Sequence, residues 1–434
     1  MKYTQKIFEN KDILEKLSEN AETIYNRLYS ITRNIKSDGR RLLKDIVFGF
    51  SKVKNISLLW IAKVLSSKNT KNKVASFSKF LSWNTAIKYM TKYVNYVIKQ
   101  LWKEKWMVYV VIDGWDIKKE YSKNSAMSKI HDWSTGKIEK WIVLETAIAF
   151  NDKDETVPIM WNIFSRKTEE YKSDNNETMK LINKIEEYKP KNVKIMYIWD
   201  RWYAYKELME FIRSIEEHFL IRLKKWRYVK VKWKTVWIEN AYTKLRGTKE
   251  EIEVVVKNWK IRWRLYYGKV KLYESNNRRD YYLVVVKNNK QNIMLLTSKK
   301  VRNQKEAKEI VMLYSKRWLI EEFYRYVKQE YKLEKIHLRE WKEVKKYIKR
   351  MNNYYNLLLS TIWLIMLWLD EIWDAIKEVM LKLRAIENVW YKLKNIMICW
   401  LEVIQEYLLE FKVLQNQYRK KQLRKKDLLQ NPLF

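Results

Sequence analysis

The sequence predicts an α/β protein with a mixed-sheet core, an antiparallel β-rich insertion that interrupts it, and helical N- and C-terminal regions. Three observations carry this. Between residues 105 and 218, compact apolar runs rich in β-branched residues are interspersed with helical patterning; from about Phe219 to Leu296 apolar and charged residues alternate; both ends of the chain show three- and four-residue apolar spacing. At 434 residues the chain exceeds the usual size of one domain, so a core with appendages is expected.

Taken in order, Ile13, Leu14, Leu17, Ile24, Leu28 and Ile31 recur at helical spacing, and the style holds to about Leu101. Within it, SLLWIAKVLSSKNTKNKVASFSKFLSW reads as two short helices around a polar turn. That pattern fits a helix-turn-helix DNA reader and a plain helical bundle almost equally. At Trp106 the texture changes. WMVYVVI suits a strand buried on both faces, WIVLETAIAF a second, Thr178 to Glu187 a helix, and VKIMYI a third strand running out at Asp200. IRLKKWRYVKVKW, EIEVVVKNWKIRWRLYY and YYLVVVKNN then show the two-residue period of an antiparallel sheet with one solvated face. From Asn303 the pattern is helical to the end, closing on the basic cluster Arg419, Lys420, Lys421, Arg424, Lys425 and Lys426. The expected divisions are 1–104, 105–218, 219–300, 301–345 and 346–434.

Composition narrows the function. With 89 Lys+Arg against 51 Asp+Glu the formal charge is +38, a field that attracts polyanions, nucleic acid first; a Lys-biased proteome would produce the same excess. The single cysteine, Cys399, excludes an internal disulfide. His131, His218 and His337 are too scattered to build a zinc site, so any metal site must be made of carboxylates. The N-terminus lacks an apolar signal core, and the longest apolar run, Leu357 to Leu369, is too short to cross a bilayer. No membrane association is expected, and the cytoplasm or a bacterial nucleoid is the natural location.

Three acidic residues stand out. Asp113, in VVIDGWDI, and Asp200, in VKIMYIWDRWYAYKEL, both lie where an apolar strand runs out, which would bring two carboxylates to one sheet rim. A loop cap is the plainer reading of either, and Asp116 competes with Asp113. In LYSKRWLIEEFYRYVKQEYKLE, Tyr314, Arg317, Glu321 and Lys328 fall at offsets that share one helical stripe, although ordinary amphipathic helices carry such stripes too. Glu322 points about a hundred degrees away, so Glu321 is the better metal ligand.

Tyr, two residues, Arg, three residues, Glu, six residues, Lys: at every spacing these four resemble the YREK signature of bacterial insertion-sequence DDE transposases. Asp113 and the Asp200–Arg201 pair then resemble that family's first and second acidic positions, across roughly Val108 to Leu338, β-rich insertion included. The resemblance implies an RNase-H-like catalytic core that cleaves the ends of an insertion sequence and transfers the strands into target DNA. It implies two Mg²⁺ (or Mn²⁺) ions held by Asp113, Asp200 and Glu321. Tyr314, Arg317, Lys328 and, less directly, Arg201 would contact phosphates of double-stranded DNA, at element ends and target. A homodimer in the DNA complex is implied, N-terminal helices contacting the ends and C-terminal helices pairing the subunits. The rivals are an RNase-H-like nuclease without strand transfer and an inactive DNA-binding relic.

One departure stands apart. The chain has 22 Trp and 6 Gly, where average usage predicts roughly 30 Gly. Trp115, Trp133, Trp199 and Trp202 occupy turn-like contexts, and the family has glycine where Trp202 stands. Many of these positions therefore read as UGA codons that the source organism translates as glycine, with Trp318 and Trp363 as authentic tryptophans. A genuinely Trp-rich, base-stacking protein is the other reading.

Overall fold

The computed structural model describes residues 31–32, 35–53, 57–65, 69–82, 84–102, 107–118, 126–132, 136–152, 155–248, 251–256, 259–273, 280–287, 292–331 and 344–382. The helical pattern expected before Ile31, the Trp133 turn, the basic cluster at 419–426 and most of the proposed pairing region lie outside them. Two compact units divide the chain: 29–363, and 1–28 with 364–434. Of the second, only the backbone of 364–382 is described, as helix.

The first unit opens with helices α1 (Ser37–Val53), α2 (Leu58–Leu65), α3 (Thr70–Ser82) and α4 (Asn84–Leu101). The segment expected as two helices around a turn is thus α2 and α3. Gly49 permits the close approach of α1 to α2, because a Cβ there would stand 2.7 Å from Ile61 Cγ2. Then follow β1 (Met107–Lys118), β2 (Ser128–Asp132), β3 (Lys137–Phe150), β4 (Thr156–Phe164), α5 (Asp174–Tyr188), β5 (Lys194–Trp199), α6 (Lys206–Ser214) and β6 (His218–Arg222). Ser173 starts α5 by accepting from the Asn176 amide at 3.1 Å, with Asp174 and Glu177 at the positive end of the helix dipole.

β7 (Tyr228–Val231), β8 (Lys234–Trp237), β9 (Arg246–Gly247), β10 (Ile252–Val256), β11 (Trp259–Leu272), β12 (Tyr281–Lys287) and β13 (Asn292–Thr297) form the antiparallel part, and α7 (Gln304–Ser315), α8 (Trp318–Tyr331) and α9 (Val344–Lys382) complete the described chain. One sheet runs β2-β3-β1-β5-β6-β13-β12-β11-β7-β8, with β4 on β3 and β9 and β10 on β11. β1 is antiparallel to β3 but parallel to β5, and β5 is parallel to β6. The alternating strands therefore do not form a separate sheet: β13 pairs antiparallel with β6 and extends the core sheet directly.

β4 would expose a row of unpaired backbone groups beside β3, and α9 covers it. Asn356 Oδ1 accepts from the Trp161 amide at 2.8 Å while its Nδ2 donates to the Trp161 carbonyl at 2.7 Å. Asn352 repeats the pattern one pleat on, with the amide and carbonyl of Ile163 at 2.7 and 2.6 Å. Four residues apart on the helix, the two amides match residues two apart on the strand. Asn356→Leu strands a buried amide and carbonyl, so it should lower stability by about 2 kcal/mol or more, read by urea unfolding; a loss under about 0.5 kcal/mol, the size of an ordinary surface change, would show the clamp to be dispensable.

Candidate active site

Asp113 was expected to end its strand, but β1 continues to Lys118 because the long β3 pairs with it throughout, Asp113 opposite Thr146 and Lys118 opposite Trp141. What ends is the parallel pairing, whose last partners are Val111 and Ile198. Asp113 thus lies just past the shared stretch of β1 and β5, and Asp200 just past the end of β5. Both stand at the carboxyl end of adjacent parallel strands, where α/β sheets place their ligands. Asp116, three residues on, takes the opposite face of the strand and acts on Arg166 instead. That separates it from Asp113.

Asp200 caps a short 3₁₀ turn, Arg201–Tyr203, its Oδ1 accepting the Arg201 amide at 2.7 Å. The same oxygen accepts from the Tyr314 hydroxyl at 3.3 Å. Arg201 itself is exposed.

The stripe expected on one continuous helix is broken. Tyr314 lies in the last turn of α7, Arg317 in a turn, and Glu321 and Lys328 on α8. Backbone bonds from Arg317 to Tyr314 and from Ile320 to Arg317 close this break with three-residue spacing. The side chains converge nonetheless. Arg317 Nη1 is 3.2 Å from Asp113 Oδ2 and its Nη2 is 2.5 Å from Glu321 Oε1, so one guanidinium bridges carboxylates more than two hundred residues apart. Glu322 turns away to Arg325 at 2.9 Å. Lys328, also exposed, holds its ammonium 3.8 Å from the centre of the Trp115 ring.

A sequence model described as the transposase DDE domain matches residues 108–357, more than half of the chain. The chain belongs to this DDE transposase family. It is a DNA transposase, an enzyme of DNA cleavage and strand transfer, and its sheet, with β3-β1-β5-β6 running antiparallel, parallel, parallel, is RNase-H-like. Among solved structures, a piggyBac transposase synaptic complex with hairpin DNA is similar at 10% identity and a TM-score of 0.36, covering 91% of this chain and 83% of that one. No curated protein compared with the transposase matches it. Among its described residues no helix is long and apolar enough to cross a membrane.

In the transposase the charges of Asp200 and Glu321 both reach the Asp113 carboxyl. Burial pushes the Asp113 carboxyl up to about 6; Arg317 and the Gly114 amide oppose that, while Asp200 and Glu321 add to it. Burial and then Asp200 raise the Tyr314 hydroxyl. Burial alone would lower Arg317, but Tyr314, Asp113, Asp200 and Glu321 outweigh it and hold the guanidinium charged. The family works with divalent metal ions, and the donor set suits hard cations: carboxylate oxygens gathered around a positive charge, with no imidazole or thiolate in the cluster. Among the described residues no three Asp, Glu, His or Cys form a ready-made metal cage. Arg317 stands between two of these three.

Sequence reasoning missed Glu145. It faces Gly114 across the β1–β3 ladder, 2% exposed, and accepts from Thr178 Oγ1 at 2.5 Å. Burial pushes its carboxyl up to about 8, against the pull of Thr178 and Asn162. The lone acid in the apolar run WIVLETAIAF was the available signal. Above it, the Tyr324 hydroxyl donates to the Asp113 carbonyl at 2.7 Å and fixes α8 to β1.

Proposed function

We propose that this transposase cuts DNA at the ends of an insertion sequence and joins the freed ends to a target duplex, with Asp113, Asp200 and Glu321 holding two Mg²⁺ (or Mn²⁺) ions. One observation supports the reading: at the rim of parallel strands Arg317 contacts the carboxylates of Asp113 and Glu321, and Tyr314 contacts that of Asp200. When bound, such ions supply an activated water or 3′-hydroxyl and stabilise the leaving oxygen of an in-line displacement.

The chain's own residues do the rest. Asp113 and Asp200 are set by strands β1 and β5, so their separation is fixed by backbone pairing rather than by loops. Glu321 is brought in by α8, which Tyr324 anchors to β1. Tyr314 and Arg317 offer a hydroxyl and a guanidinium fork to phosphate oxygens, and Lys328 and Arg201, both exposed, extend that contact along the backbone. The formal charge of +38 draws duplex DNA toward this rim. Joining two ends requires two copies held together, so the working species is a homodimer on DNA, acting in the bacterial cytoplasm at the nucleoid.

The test uses duplex carrying a pre-cut element end and a supercoiled target. Mg²⁺-dependent covalent joining of end to target is expected. Nicking without any joining would replace the proposal with a nuclease of the same fold.

A further inference from the structure

We propose that positions 202, 226 and 233, together with 115 and 199, carry glycine in the protein the source cell makes, because their codons are UGA and are read there as glycine. This goes beyond the proposed function and does not rest on it.

Tryptophan gains most from burial, yet several here sit where burial is impossible. Trp233 is 98% exposed. It is the second residue of a two-residue loop, since Val231 pairs with Lys234 across β7 and β8. The first, Lys232, has φ +56. Trp233 itself does not take a positive φ, so what marks it is the exposure of a whole indole at the tip of the hairpin. Trp226, in the turn between β6 and β7, is 65% exposed, and Trp202, directly after the Asp200–Arg201 pair, is 64% exposed. Inside, Trp199, fully buried beside Asp200, leaves its Nε1–H without a hydrogen-bond partner, as do Trp102, Trp161 and Trp363, so this feature alone does not single out Trp199. Buried indoles ordinarily find an acceptor. Glycine at 202, 226 and 233 removes the three exposed rings, and these carry the inference.

Base-stacking rings explain less. Lys224 Nζ already lies 5.4 Å from the Trp202 ring and 5.3 Å from the Trp226 ring, and a buried Trp199 can stack on no base. Glycine also changes the site. At 202 and 226 it takes two ring contacts from Lys224, and at 115 one from Lys328, so each ammonium has less to give up on meeting a DNA phosphate.

The decisive measurement is the gene sequence at codons 115, 199, 202, 226 and 233, paired with mass spectrometry of peptides from the protein made in its own cell. UGA codons with glycine in the peptides are expected. UGG at 199 and 202, or tryptophan in those peptides, overturns the inference. Neither result depends on what the transposase cuts. For the functional half, the chain with Trp115→Gly, Trp199→Gly, Trp202→Gly, Trp226→Gly and Trp233→Gly is compared with the all-tryptophan chain in salt-dependent DNA binding. A steeper salt slope for the glycine chain is expected, since each added phosphate contact releases a counterion. Equal slopes would show that Lys224 and Lys328 gain no phosphate.

Discussion

Glu321→Gln is expected to leave a folded transposase whose Mg²⁺-dependent DNA nicking has fallen by about a thousandfold. The substitution isolates charge. Glutamine keeps the shape of the side chain and a carbonyl oxygen for Arg317, whose Nη2 lies 2.5 Å away, and Glu321 is partly exposed in the first turn of α8, so packing is untouched. What disappears is the charge of one of the three proposed anionic ligands. Charge stabilisation by a bound metal is worth several kcal/mol, and each 1.36 kcal/mol is tenfold in rate. Single-turnover nicking of supercoiled DNA reads the loss, with thermal melting as the control for folding. If nicking survives in Glu321→Gln and vanishes in Glu322→Gln, the ligand has been assigned to the wrong neighbour. A parent chain that never nicks would instead mark a relic that binds DNA without cutting it.

Spacing alone separates Glu321 from Glu322, and the structure sends the two to different cations, Arg317 and Arg325. Strand periodicity likewise announced β1, β3 and β5, whose apolar runs need no knowledge of their neighbours. Properties that depend on a partner elsewhere in the chain were not legible. β1 runs on past Asp113 only because β3 is there to pair with its polar end. The alternating strands join the core sheet through the pairing of β13 with β6, a register no local pattern encodes. The break between α7 and α8 hid within a stripe that a single helix would also have produced. Asn352 and Asn356 read as unremarkable polar residues in an apolar helix until the edge of β4, 189 and 195 residues distant, is placed against them.

Glu145 belongs to the same class, and its titration should dominate the pH dependence of stability. In the unfolded chain its carboxyl ionises near 4.5; in the fold, burial holds it protonated to about 8. Across that window unfolding releases a proton, so raising the pH favours the unfolded chain. The contribution that Glu145 makes is fully present below about 4.5 and is progressively lost up to about 8. At 1.36 kcal/mol per pKa unit, the total is on the order of 5 kcal/mol. Glu145→Gln keeps the acceptor for Thr178 and cannot ionise, so it should be the more stable protein at neutral pH while matching the parent in acid. Urea unfolding of both proteins at several pH values from 4 to 9 measures the difference. It should climb through the window and level off above about 8, and a difference independent of pH would mean that Glu145 is already charged in the fold. The neutral acid belongs to the packing of α5 on the sheet: Glu145 lies opposite Gly114, on the face of the ladder away from Asp113, it accepts from Thr178 of α5, and the charges that act on it are Asp174 and Glu177, so a buried carboxylate there would be repelled by both.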